Sequence, residues 1–507
     1  MTAVSACTIV ARNYLPFARV LAHSYSEHHP DQLLSVLVID GEPGESSSDE
    51  PFDILVPGDL ALRRDEFLRM AACYDVMELA TAIKPWLLEC LLRKGADAVL
   101  YCDPDIEVFA PMVRFTDAAL KHGIALTPHT TEPVPRDGRR PAESELMASG
   151  TFNLGMIALS QGALPFLSWW QERLRRDAIV DPERMLFTDQ RWLDLALGYF
   201  SLYIFRDPGY NVAYWNASTR QLERVGDRYF ANGSPLHTFH FSGFQPERPT
   251  QLSRHQGVQP RVLLSENPAL REICRGYSER LLTAGYAVPL EPPFAFELIP
   301  DGPPLDRRMR RVYRRALLQH DHGEAPEPPN PFREGTPGEF LRWLQEPVAR
   351  QYPLVGRYLL DLYSERTDLQ VVFPQVPWKD NLSFLRWVET YGESDASVPE
   401  ELIVRRPSPS WPRQTQGGTH KPGVNLAGLM DDAGGVGTVV RRLGQALHTA
   451  GISFSPIGYR PGQPLAPPAA GSAGAPTAYD LNLVCINASH IEDFAIRAGQ
   501  EFFARRR

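Results

Sequence analysis

Residues 98–109 read AVLYCDPDIEVF, and the reading of the chain turns on them. Ala98–Tyr101 is a short apolar run of the kind that forms a buried strand. It ends in Asp103 and Asp105, held apart by Pro104, and the apolar pattern resumes at Ile106. Two carboxylates two residues apart at a strand end suit a hard divalent cation that must keep coordination positions open for diphosphate oxygens. No other D-x-D occurs in the sequence. A lone D-x-D is common by chance, so its meaning depends on what surrounds it.

Upstream, ACTIVAR (5–11) reads as a buried strand and FARVLAHSYSEHH as the helix after it. LLSVLVID (33–40) and FDILVPG are two more strands, and residues 63–94 carry a helical pattern. Strands that alternate with helices, each strand a short Val/Ile/Leu run, predict an α/β fold with a mostly parallel sheet and helices on both faces. Such sheets bind ligands beyond the carboxyl ends of their strands. Asp40, Asp103 and Asp105 all fall at such ends.

Downstream, IALTPH (124–129) is a strand, followed by a polar loop over 130–145. GTFNLGMIAL is strand-like and FLSWWQERLRRD is an amphipathic helix. TDQRWLDLAL predicts a helix capped by Thr188, with Asp189 and Gln190 in its first turn. YNVAYWN and HTFHFSGF close the first domain, set at 1–300. Residues 301–404 form interrupted helices with no catalytic cluster, a spacer in this reading. Residues 405–422 have linker composition. Residues 423–507 read as strand, Gly-rich turn, helix and two further strands.

The Arg-rich run 307–315 is expected to be a solvated helix face. Gly434–Gly437 lacks the final glycine of a dinucleotide fingerprint, because Val440 stands there, and no Lys-Ser/Thr follows. It reads as packing, or as half of a site.

Lys+Arg 52 against Asp+Glu 61 leaves a net charge of −9, a balance that argues against nucleic acid as a partner. The six cysteines form no C-x-x-C pair, and most read as buried thiols of a reducing compartment. There is no signal-like start and no apolar run of membrane-spanning length, roughly 18 residues. The expectation is a cytoplasmic protein, free or peripheral at the inner membrane face.

Four ordered blocks, TIVARNYLPFARVL, YCDPDIEVF, SGTFNLGMIAL and HFSGFQP, together resemble nucleotide-sugar glycosyltransferases of the GT-A fold, specifically the family 8-like ones. The resemblance covers roughly residues 5–260 and implies a Rossmann-like sheet. It implies Mn2+ or Mg2+ held by Asp103, Asp105 and His240, with His237 the histidine that could be mistaken for the ligand. It also implies donor contacts from Ala11, Asn13, Lys84, Asp103, Asn153 and Gly243, and a reaction centre lined by Asp189 and Gln190. The donor it implies is a nucleoside-diphosphate sugar, a UDP-sugar first, and the acceptor a glycan or surface polymer.

Retention of configuration follows from the likeness, whereas Asp189 acting as a general base would give inversion. The residues themselves leave plainer roles open. Lys84 could be a surface lysine before a proline, Asn153 a buried amide with structural partners, and His240 a core histidine. The segment VNLAGLMDDAGGVGTVVRRLGQAL resembles the first strand, turn and helix of GT-B glycosyltransferases, of which 423–507 would be only a part. A non-catalytic nucleotide-sugar-binding module and a sugar-phosphate nucleotidyltransferase are the alternatives. The second is disfavoured because VARNYLPF has no glycine-rich loop after its strand.

Overall fold

The protein is described from a computed structural model, which covers residues 2–44, 49–347, 355–376, 378–403, 421–430, 435–461, 463, 465 and 479–503. Most of the linker expected at 405–422 lies outside these residues, as does Gly434. The chain divides into two compact units, Met1–Val348 with Gly356–Asp361, and Ala349–Val355 with Leu362–Arg507.

The first unit is mixed α/β. Its strands are β1 (Val4–Val10), β2 (Leu34–Val38), β3 (Asp53–Leu55), β4 (Ala98–Cys102), β5 (Ile106–Val108), β6 (Ile124–Pro128) and β7 (Phe152–Ser160). A seven-stranded sheet runs in the order Tyr203–Ile204, β6, β7, β4, β1, β2, β3. Every pairing is parallel except those of β7, which is antiparallel to both β4 and β6. All nine residues of β7 are buried, and a continuous apolar run carries no mark of strand direction. The reversal matters for the site. It brings the start of β7, and with it Asn153, to the end of the sheet where β4 delivers Asp103.

A small second sheet completes that end. The strand Thr238–His240 pairs antiparallel with β5 and parallel with Val212–Ala213. Its register sets His240 opposite Ile106, and Phe241 N donates to Asp105 O at 2.8 Å. The short strand after Asp-Pro-Asp therefore serves to carry the histidine back to the carboxylates.

The helical stretch 63–94 is three helices, Arg64–Cys73, Val76–Ala82 and Lys84–Arg93. Asp75 starts the second with a reciprocal cap, accepting from Glu78 N at 2.9 Å while the Glu78 carboxylate accepts from Asp75 N. Thr188 does not cap a helix. It has φ +47°, and its hydroxyl donates to Asp189 Oδ1 at 3.2 Å, while the chain passes through a 3-10 turn before the helix Leu193–Tyr199.

The Arg-rich helix, Arg307–Asp321, corrects the expectation of a solvated face. Arg310 and Arg314 are each only 4% exposed. Arg310 donates to the carbonyls of Ala71 (2.7 Å), Tyr74 (2.5 Å) and Phe296 (2.6 Å). Arg311 pairs with buried Glu78 at 2.5 Å, Arg314 with Asp177, and Arg308 and Arg315 with Asp361. A guanidinium has five donors in a fixed fork, so it can close several chain ends at once. This helix ties the first unit together.

In the second unit a parallel three-stranded sheet is ordered Phe454–Gly458, Lys421–Gly428, Tyr479–Cys485, with helices Gly435–Thr449 and Ile491–Phe503. Val440 is fully buried, and a Cβ on Gly428 would meet its Cγ2 at 2.6 Å. The described part of the Gly-rich turn thus leads into helix-on-strand packing.

All six cysteines are unpaired. No helix among the described residues is long and apolar enough to cross a membrane.

Candidate metal and sugar site

Asp103 leaves β4 with its backbone fixed: its N–H donates to Gly155 O at 2.7 Å, and its carbonyl accepts from Ile106 N at 3.1 Å. That tight turn across Pro104 directs Asp105 to the same place. His240 Nε2 lies 3.1 Å from Asp105 Oδ1 and 3.8 Å from Asp103 Oδ2. One ligand atom from each of the three falls within 4.8 Å of the others.

The two carboxylates are 27% and 25% exposed, whereas His240 is 4% exposed. An imidazole on the protein side and two hard oxygens toward solvent make a donor set that fits Mn2+ or Mg2+ with positions left for a ligand. The other ring nitrogen, His240 Nδ1, is 3.1 Å from Asn211 Oδ1, so Asn211 fixes the ring orientation and its tautomer.

Burial pushes the Asp103 carboxyl above its usual range, and nearby Asp105 adds to this, against the pull of Lys84 and His240. For His240, burial works to lower the pKa, but the charge and hydrogen bond of Asp105 and the charge of Asp103 outweigh it and raise it. Two carboxylates crowded around one imidazole leave the cluster short of positive charge.

Lys84 is a buried cation and not a surface lysine. It is 1% exposed, and its Nζ sits 2.7 Å from Asp189 Oδ2, 2.9 Å from Leu154 O and 3.8 Å from Asp103 Oδ1. It also lies over the Tyr101 ring at 4.3 Å, and the Tyr101 hydroxyl donates to Asp103 Oδ1 at 2.8 Å. Asp189 is sealed from solvent at 2% exposed.

Gln190 donates to Ser149 O at 2.8 Å and sits near Leu154 N. Asn153 Oδ1 accepts from Gly155 N at 3.1 Å and from Asn211 Nδ2 at 3.0 Å. Gly155 could carry no side chain here, since a Cβ would lie 2.3 Å from His240 Cε1.

Ala11 is buried, and its carbonyl accepts from Tyr14 N at 2.8 Å. Asn13 lines a recess of about 190 Å³ with Asp75, Val76, Phe294, Glu297 and Arg310, and its Oδ1 has no partner within the protein. Burial, with the nearby charge of Asp105, raises the pKa of the adjacent Tyr14 hydroxyl, which places this loop beside the acidic pair. Gly243 has φ +69°, and a Cβ there would meet His255 Cδ2 at 2.3 Å. His237 stands apart from the cluster: its Nδ1 contacts Pro111 O at 2.8 Å and its ring stacks on Tyr210 at 4.2 Å.

Tyr101 and Gly155 fall inside the YCDPDIEVF and SGTFNLGMIAL blocks without being singled out there, and Asn211 lies in none of the four blocks. Tyr101 had a further cue, being two residues before Asp103 along an extended chain and so on the same side of it.

No family model matches the chain. It is 26% identical over 247 residues to the uncharacterized protein YfnD of Bacillus subtilis (strain 168), covering 47% of this chain and 76% of that protein. Among solved structures it is similar to the galactosyltransferase LgtC, in complex with donor and acceptor sugar analogs. The TM-score is 0.34 at 16% identity, over 57% of this chain and 98% of that one. It is also similar to the glycosyltransferase GlyE of Streptococcus pneumoniae TIGR4, with a TM-score of 0.33 at 14% identity, over 58% and 66% of the two chains. Scores of this size carry nothing about substrate, so the chemistry must be read from the side chains.

Proposed function

We propose that the protein is a glycosyltransferase that moves a hexose from a nucleoside-diphosphate sugar, a UDP-sugar first, to a glycan or surface-polymer acceptor. The observation that supports this is the Asp103, Asp105 and His240 cluster backed by the buried Lys84. In this reading the three residues hold Mn2+ or Mg2+. When bound, the cation supplies charge to neutralise the leaving diphosphate.

Lys84 opposes the rise that burial imposes on the Asp103 carboxyl and orients it from the protein side, and Tyr101 does the same through its hydroxyl. Asn13, in its recess beyond β1, and the backbone at Ala11 and Gly243 contact the nucleotide portion. Asn153 and Gln190 line the sugar side. Asp189, closed off by Lys84, acts as a positioning residue, and the absence of solvent around it favours retention over a general-base inversion. The candidate site residues lie within residues 1–300, with helix Arg307–Asp321 packed into the same unit; the rest of 301–404 is a spacer, 405–422 a linker and 423–507 part of a GT-B-like domain.

Titration of the full chain with UDP in the presence and absence of manganese tests the reading, together with UDP release from a panel of nucleotide sugars. Metal-dependent UDP binding that is lost in Asp105→Asn is the expected result. UDP binding of equal strength in chelator would refute it. Binding of a nucleotide sugar with no turnover of any donor would instead favour a non-catalytic binding module.

A further inference from the structure

Two buried polar atoms beside the metal cluster have no partner within the protein: Nδ1 of His129 and Nε1 of Trp215. His129 is 5% exposed and Trp215 is 4% exposed. An indole N–H kept from water without an acceptor is unfavourable, and native proteins rarely leave one so.

The two rings meet edge to face at 5.4 Å, and on its other side Trp215 meets His240 edge to face at 5.1 Å. Trp215 thus stands between His129 and the histidine of the metal cluster. His129 follows β6, whose end lies at the same end of the sheet as Asp103.

The arrangement is built and does not look incidental. Asn216, 1% exposed, donates through Nδ2 to the carbonyls of His129 (3.1 Å) and Asn211 (3.0 Å), and its Oδ1 accepts from Ala213 N at 2.9 Å. One amide therefore clamps the turn carrying Trp215 to the strand end carrying His129. Asn211, held by the same clamp, orients both His240 and Asn153. His129 N in turn donates to Thr151 O at 3.0 Å. Burial pushes the His129 ring down to about 4, against hydrogen bonding of the ring to the backbone at Gly150 and Thr151, which acts to raise it. The ring is neutral at ordinary pH and offers one donor and one acceptor nitrogen.

We infer that His129 Nδ1 and Trp215 Nε1 form a recognition pair for hydroxyl groups of a sugar ring seated beside the metal cluster. The indole supplies a donor, and the neutral imidazole a donor or an acceptor. The indole edge and the Asp103 and Asp105 carboxylates favour a neutral sugar with free hydroxyls over an anionic one. The ring could be the donor's hexose or the acceptor's first residue, since both present the same chemistry. This inference rests on the glycosyltransferase reading.

The test uses the full chain and the variants Trp215→Phe, which removes only the N–H donor, His129→Leu, and His129→Asn, whose amide can replace Nδ1. Manganese-dependent UDP binding is measured first and should be unchanged in all of them. Binding and turnover are then compared for UDP-glucose, UDP-galactose, UDP-N-acetylglucosamine and their deoxy counterparts. UDP release is also measured with methyl hexosides as acceptors.

Trp215→Phe and His129→Leu should each weaken use of a hydroxylated sugar by about tenfold or more. They should have little effect on the analogue lacking the recognised hydroxyl, and His129→Asn should restore part of the loss. An effect confined to the UDP-sugars assigns the pair to the donor, and one confined to methyl hexosides assigns it to the acceptor. Equal effects on hydroxy and deoxy sugars, or none, with UDP binding intact, would overturn the inference alone and leave the two atoms to ordered water. Failure of the unmodified protein to bind UDP would overturn the glycosyltransferase reading as well.

Discussion

Lys84 Nζ and Asp189 Oδ2 lie 2.7 Å apart, and neither side chain is more than 2% exposed. The pair joins two of the elements that frame the metal cluster, the start of helix Lys84–Arg93 and the turn after Thr188. Its second function is electrostatic, because Lys84 is also 3.8 Å from Asp103.

Removing one partner strands the other. Asp189→Asn should destabilise the folded protein by about 3–5 kcal/mol, the usual effect of leaving one buried charge uncompensated. Chemical denaturation measures this. A loss below about 1 kcal/mol would mean that Asp103 alone satisfies Lys84.

Metal binding should follow the three ligands. Asp103→Asn, Asp105→Asn and His240→Ala should each weaken manganese binding tenfold or more by calorimetric titration, within the roughly 10–100-fold seen even when outer partners of a metal site are lost. His237→Ala should leave it unchanged, since His237 serves Pro111 O and Tyr210.

The pH dependence has opposite signs with and without metal. The folded pKa of His240 is raised above its ordinary 6.5. The His240–Asp105 ion pair therefore stabilises the metal-free protein fully below about pH 6.5, and this is lost as pH rises through the higher folded value. Manganese competes with that proton, so its affinity should rise across the same window. The increase in Tm on adding manganese should be larger at about pH 8 than at about pH 6. A flat or reversed trend would remove His240 from the ligand set.

Gly155→Ala is a sharper probe than any polar substitution. Its Cβ would lie 2.3 Å from His240 Cε1 and 2.6 Å from Nδ1. Relief requires moving the imidazole, so the variant should lose manganese affinity and about 1–3 kcal/mol of stability together.

A chain ending at residue 300 should be much less stable than one ending at 403. It lacks Arg310, which satisfies three carbonyls, and Arg311, which neutralises buried Glu78. Thermal unfolding of the two would show it, and in the longer chain Arg311→Met alone should reproduce part of the loss.

The alternating α/β pattern, the strand ends and the acidic pair are legible in the residues themselves. These are local properties: a run of apolar residues, a proline between two aspartates, a break in periodicity. The sequence also favoured His240, which opens the HFSG block, over His237, which lies three residues before it. The direction of β7 was not legible, because nine buried residues in succession look alike in either orientation. The fate of the arginines at 307–315 was equally hidden, since two of their charged partners, Glu78 and Asp177, are more than a hundred residues away.

Lys84 shows the same division. Its sequence neighbours are those of a helix start, and only the packing of β7 and the turn at Asp189 against it removed its water. His129, Asn211 and Trp215 belong to no motif at all. Tertiary structure alone decided their place, because burial and unpaired hydrogen bonds depend on which distant segments close around a side chain. No local pattern of residues records that.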